Sequence, residues 1–158
     1  MEAQRILRLE KGHLIVGQDT DGLTRGFSAG LGPAIKLDKD DFLGQPELAW
    51  QLVGEDGPRL VGLQPLDGSV VPDEASLIVE EPGDGPEAGT RGSRIAGRIT
   101  SSRMSPTLGR SVCLAQVAAH LARPGTLVTV RLPTGREIQA RVTPQLAHVD
   151  PDGRRVHA

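Results

Sequence analysis

Aromatic residues are almost missing from this sequence: two Phe, one Trp and no Tyr in 158 residues. Any core must therefore be assembled from Leu, Val, Ile and Ala, and a row of rings on which nucleic-acid bases stack is excluded. Cysteine occurs once, at Cys113, which rules out an internal disulfide and a cysteine-built zinc centre. Flanked by Val112 and Leu114, it reads as a small buried residue rather than a nucleophile. Apolar runs such as Leu14-Ile15-Val16 and Leu77-Ile78-Val79 fall far short of the ~20 residues that cross a bilayer. No apolar segment follows a basic N-terminus as in a signal peptide. The expectation is a cytoplasmic protein with no membrane contact.

Glycine and proline are plentiful, at 20 and 12 residues, so turns are frequent and short strands are favoured over long helices. The net charge of −2 conceals a division. Residues 1–90 hold seven Lys and Arg against seventeen acids, and residues 91–158 hold eleven Arg against three acids. The arginines of the second half are scattered singly through strand-like sequence without Tyr or Trp between them, and no nucleic-acid binding is expected.

The pattern along the chain changes once. Glu2 to Lys11, with Ile6, Leu7 and Leu9 among charged residues, predicts about two helical turns closed by Gly12. Residues 12–22 form an apolar triplet enclosed by glycines and polar turn residues, which reads as a tightly shaped loop. Pro46 to Leu52 predicts a short helix. From Arg59 the signals become strands: Leu60–Leu63, Ser76–Val79, Arg94–Thr100 and Val112–Val117. The clearest hairpin is Leu127–Leu132 with Glu137–Val142 across a Gly-containing turn. In Arg94–Thr100 the alternation sets Ile95, Gly97 and Ile99 on one apolar side. Pro82 to Gly92 reads as an exposed loop. Spacing and turn chemistry predict a sandwich or a barrel.

No arrangement of residues names a reaction. There is no nucleophile elbow, no His-Glu-x-x-His and no phosphate loop. His13, His120, His148 and His157 stand alone, and solvated or hydrogen-bonded imidazoles are expected at each. Asp38 to Asp41 lacks the spacing of a calcium loop. No catalytic residue and no metal ligand is assigned.

Two peptides are far more specific. Arg8-Leu9-Glu10-Lys11-Gly12-His13-Leu14-Ile15-Val16-Gly17-Gln18-Asp19-Thr20-Asp21 resembles the helix and loop of the glycine-cleavage T-protein (aminomethyltransferase) family, in the version carried by the C-terminal region of the sarcosine oxidase alpha subunit. Ile99-Thr100-Ser101-Ser102-Arg103-Met104-Ser105-Pro106-Thr107-Leu108-Gly109-Arg110-Ser111 resembles a later signature of the same family, a strand leading into a Ser-Pro-Thr-Leu turn. Gly30-Leu31-Gly32, residues 36–42, Leu60–Leu63 and Asp150–Gly153 extend the resemblance, which covers only the family's C-terminal half.

The resemblance implies an α+β, mostly β fold: a C-terminal T-protein-type β-barrel over 52–158, preceded over 1–51 by the tail of a folate-binding α/β lobe. It implies tetrahydrofolate as cofactor, with Arg8 matching the arginine at the folate, where a guanidinium grips a carboxylate bidentately. Glu10, Gln18 and Asp19 are read first as residues that shape the loop, and Ser105-Pro106-Thr107 as a turn rather than a nucleophile. The family's acidic residue and much of its pterin pocket have no counterpart here, so a protein partner or a homo-oligomer is expected to complete the site. Arg25-Gly26-Phe27-Ser28 stands where Thr-Pro-Phe-Glu is usual, and Pro33 where tryptophan is common; exchanging a buried aromatic for proline implies a cost of about 3 kcal/mol or more unless the surroundings differ. Three functions are weighed: part of a folate-dependent aminomethyltransferase, a non-catalytic barrel module for protein contacts, and a tRNA-modification relative. The last fits poorly, because its Lys-Gly-Cys-Tyr-x-Gly-Gln loop is here Lys11-Gly12-His13-Leu14-Ile15-Val16-Gly17-Gln18.

Overall fold

A computed structural model of the chain describes residues 2–22, 24–53, 57–81 and 93–150. Its centre is a closed barrel of six antiparallel strands: β1 (Arg59–Pro65), β2 (Leu77–Glu80), β3 (Arg94–Ser105), β4 (Arg110–Val117), β5 (Leu127–Arg131) and β6 (Glu137–Val142). The order around the ring is β1-β4-β3-β2-β5-β6, and Leu63 of β1 opposite Val142 of β6 closes it. Closure leaves no strand edge along the paired segments, which an open sheet of this composition would expose to other chains. The predicted hairpin is present as β5 and β6, with Gly135 at φ +83° in its turn.

The barrel is filled by aliphatic side chains, among them Leu63, Ile78, Ile99, Val117, Val130 and Val142. Cys113 lies among them, fully buried, and burial pushes its thiol up to about 12, so it is an apolar filler as expected. A second cluster sits outside the wall, where Leu9 meets Leu60, Val112 and Leu114. Strand β4 is therefore covered on both faces, which explains why Val112–Val117 reads as a nearly unbroken apolar run.

The helices precede the barrel: α1 (Glu2–Glu10) and α2 (Gln45–Val53), with a short 3-10 turn at Gly32–Ala34 between them. The N–H groups of Gly12 and His13 donate to the carbonyls of Leu9 and Arg8, ending α1 as predicted. Gly12 takes φ +70°, and a Cβ there would lie 2.6 Å from Ala147 N; glycine is required on both counts. Helix α1 packs on β3 and β4, whereas α2 buries no residue and leaves Trp50 and Val53 exposed.

Three readings are corrected. The alternation placing Ile95 with Ile99 fails: Ile95 is 63% exposed, Ile99 is buried, and Ala96 is buried instead. The register shifts opposite Ile78 and Val79, so that Ala96 is passed over, and a one-residue slip exchanges the faces of a strand. Strand β3 also runs five residues past Thr100, because Ser101, Ser102 and Ser105 find partners that let polar residues stay in a buried strand. Pro33 is exposed in the first turn of the 3-10 segment, where it sacrifices no needed donor, so the cost expected for replacing a buried aromatic does not arise. The loop read over Pro82 to Gly92 lies outside the described residues, as do His157 and the 151–153 part of the closing match.

Candidate functional site

The two specific peptides, some eighty residues apart in sequence, meet on the outer wall of the barrel. The last turn of α1 carries Arg8, and Gly12 reverses the chain so that the loop returns beneath it. The loop's turn is narrow: Gly17 N–H donates to the Thr20 carbonyl at 3.0 Å, and Asp19 N–H to the Ile15 carbonyl at 2.9 Å. That geometry drives the Asp19 side chain inward until it is wholly buried.

A buried carboxylate is tolerable only when paired and hydrogen-bonded, and Asp19 meets both conditions. Oδ2 accepts from Arg8 Nη1 at 2.5 Å and from Ile15 N–H at 2.8 Å; Oδ1 lies 2.7 Å from Thr100 Oγ1 and 2.6 Å from Ser101 Oγ. Arg8 Nη2 donates to Ser101 Oγ at 2.6 Å, and Gln18 Nε2 reaches the same oxygen at 3.0 Å. Gln116 Nε2 donates to the Asp19 carbonyl at 3.0 Å. Helix, loop and β3 are thereby tied through one carboxylate, and β4 joins them through the backbone carbonyl of the same residue. The Arg8 side chain is 11% exposed, and its Nε is buried without a partner.

Glu10 forms a second tie. Its carboxylate accepts from Ser105 Oγ at 2.6 Å and Thr107 Oγ1 at 3.1 Å, while its carbonyl accepts the His148 and Val149 N–H groups. Ser105 is fully buried and its oxygen also accepts Leu108 N–H. The turn reading of Ser105-Pro106-Thr107 and the loop-shaping reading of Glu10, Gln18 and Asp19 agree with these bonds.

The remaining candidates are dispersed. His13 is exposed and meets Arg8 through its backbone, its N–H on the Arg8 carbonyl and its own carbonyl 3.3 Å from Arg8 Nη1; His120 Nε2 contacts Glu80 at the surface at 2.7 Å. Residues 38 and 40–41 are exposed, and among the described residues no group of three His, Cys, Asp or Glu is placed to hold a metal. Thr100, Ser101 and Gln116 were not singled out as partners of Asp19. For Gln116 a signal existed, since it is the single polar side chain within an otherwise apolar strand segment and needed a partner to be there.

His148 is more enclosed than its polar surroundings in sequence implied. Its Nε2 lies 3.3 Å from the Cys113 carbonyl, and its imidazole is held below the ordinary histidine range, chiefly by burial, with Arg110 adding to the effect and the Cys113 carbonyl opposing it. The folded state therefore favours neutral His148. Stability from this residue is complete above about pH 6.5, the unfolded value, and declines as pH falls from there through the lower folded value. Urea titrations of wild type and His148→Gln at pH 7.5 and at 5 should show a larger loss in the wild type on acidification; equal losses would remove His148 from the account.

Comparison with known proteins bears on the same segments. Residues 59–147 match the family model described as the glycine cleavage T-protein C-terminal barrel domain. The chain is 34% identical over 131 residues to an aminomethyltransferase of Nostoc sp. (strain PCC 7120), covering 82% of this chain and 32% of that protein. It is 32% identical over 155 residues to the sarcosine oxidase subunit alpha of Corynebacterium sp. (strain P-1), covering 98% of this chain and 15% of that one. The crystal structure of glycine cleavage system aminomethyltransferase T from Bartonella henselae superposes with a TM-score of 0.75 at 25% identity, over 94% of this chain and 38% of that chain. The chain thus spans about a third or less of the length of the two relatives compared by sequence.

Proposed function

Because the chain belongs to the glycine cleavage T-protein C-terminal barrel family, we propose that it supplies the C-terminal portion of a tetrahydrofolate-dependent aminomethyltransferase of the sarcosine-oxidase-alpha type, forming one wall of a folate site. The rest of that site belongs to chain outside these residues or to a partner. The observation that carries the reading is the anchored Arg8: a cation whose orientation is locked by Asp19 and Ser101 and whose Nε–H still lacks an acceptor. A guanidinium with one unmet donor fits an acidic or carbonyl group better than it fits an apolar ligand.

In this reading Arg8 binds and orients, while Asp19, Gln18 and Ser101 hold it in place. Bound tetrahydrofolate supplies the acceptor for a one-carbon unit carried by an aminomethyl or iminium donor. The exposed Trp50, Leu52 and Val53 of α2, together with Leu43 beside it, are consistent with a neighbouring protein surface, since apolar patches of this kind mark interaction sites. Part of the guanidinium is spent on Asp19, and that favours a second reading, a non-catalytic barrel module that retains the loop for shape and serves protein contacts.

Calorimetric titration with tetrahydrofolate separates them, performed on the chain alone and with the preceding lobe of a relative added as a separate polypeptide. The first reading expects binding in the presence of that lobe, weakened about tenfold in Arg8→Lys, which keeps a cation for Asp19 but loses the planar fork. Absence of binding in every pairing supports the module instead, whereas equal affinity in Arg8→Lys keeps the folate site and removes the role given to Arg8.

A further inference from the structure

We propose that a groove beside the start of β1 binds a small polyanion, a ligand bearing two or more carboxylate or phosphate groups, with Arg59 and Arg123 as its cationic grips. The groove exists because the β6 ladder reaches β1 only at residues 63–65, so among the described residues the first half of β1 has β4 on one side and no strand on the other. That vacated flank is lined by residues 59–62, by 119 and 122–124, by 143–146 and by Gly30, and encloses about 450 Å³. Sites for small molecules commonly occupy about 300–1,000 Å³.

Its chemistry is one-sided. Two arginines line it, and among the described residues no acidic side chain does. Arg8, Arg98, Arg103 and Arg131 are each met by an acid, whereas among the described residues neither Arg59 nor Arg123 has a side-chain partner. The two come from separate elements, the first residue of β1 and the segment after the 3-10 turn Ala119–Leu121. A ligand with one anionic group satisfies one fork; a ligand with two can engage both. The rest of the lining is mixed, with Ala122, Pro124, Pro144 and Leu146 apolar and Thr143 and Gln145 polar, and where water is displaced charge pairing is strengthened.

The frame is also preorganised. Thr143 N–H donates to the Gly62 carbonyl at 2.9 Å, Thr143 Oγ1 donates to the Gln145 carbonyl at 2.6 Å, and Leu60 N–H donates to the Ser28 carbonyl at 2.8 Å. A Cβ on Gly62 would collide with Thr143 Oγ1, so glycine is what lets the 143–146 segment lie against β1. No residue of the Arg8 and Asp19 network lines the groove, and the proposal stands independently of folate binding.

The test uses the full chain, with citrate and inorganic pyrophosphate as separate probes, followed by amide chemical shifts and calorimetry at low salt. Saturable shifts are expected at residues 59–62, 119–124 and 143–146. Affinity should fall about tenfold in Arg59→Gln and in Arg123→Gln, with partial recovery in Arg59→Lys and no change in Arg136→Gln on the exposed hairpin turn. Binding of citrate alone assigns the site to carboxylates, and of pyrophosphate alone to phosphates. Shifts confined to other arginines, no saturation at millimolar probe, or wild-type affinity retained in either glutamine variant overturns it. Unchanged melting temperatures in the variants establish that any loss is one of binding rather than folding.

Discussion

Asp19→Ala is expected to destabilise the protein by about 3–5 kcal/mol, the cost of breaking a buried ion pair by removing one partner. The carboxylate accepts from Arg8 Nη1 and Ile15 N–H and is contacted by the Thr100 and Ser101 hydroxyls. Alanine removes the acceptor these groups share; Thr100 Oγ1 keeps the Leu114 carbonyl at 3.2 Å and Arg8 Nη1 the His13 carbonyl at 3.3 Å, but a guanidinium that is 11% exposed loses its counter-charge. Asp19→Asn should cost less, since one side-chain oxygen still accepts. In a double-mutant cycle of Arg8→Gln with Asp19→Asn, a coupling of about 0.5–3 kcal/mol is expected for groups in direct contact. Urea midpoints at unchanged m-value measure it. A loss under about 1 kcal/mol for Asp19→Ala would mean that water replaces the carboxylate and that the network is no anchor.

Leu63→Ala is expected to cost about 2–5 kcal/mol, from lost transfer energy and the cavity left behind. Leu63 is fully buried and is the residue at which β1 meets both neighbours, Cys113 of β4 and Val142 of β6. Loosening it weakens the seam that closes the ring, and packing on both sides limits how far the wall can collapse into the void. Leu63→Met conserves volume and should stay within about 1.5 kcal/mol. Val16→Ala, at a side chain 84% exposed, should stay within about 0.5 kcal/mol. Comparable effects at 63 and 16 would contradict the placement of the core inside the barrel.

Much of the local structure was legible because it depends on near neighbours in the chain. The helix ending at Gly12, the short helix near Pro46 and the hairpin at 127–142 follow from caps, turn residues and β-branched runs. The buried Cys113 followed from its apolar flanks. The face of Ile95 did not follow, because a bulge is set by the partner strand and leaves little local trace. The enclosure of His148 and the choice of Gln116 as a partner for the Asp19 carbonyl likewise depend on segments that meet only after folding.

By itself, the sequence determined that the core would be aliphatic, that the second half would be a small antiparallel β structure, and that two peptides carried a family likeness. It also showed that Arg8 and Asp19 lie in one of those peptides and Ser101 in the other. Only the tertiary structure decided that these groups share one buried carboxylate, and that Arg59 and Arg123, 64 positions apart, line the same groove. Periodicity and turn chemistry are properties of a short stretch of chain. A hydrogen bond between residues 19 and 101 is a property of how the barrel closes, and its partners are selected by packing rather than by spacing.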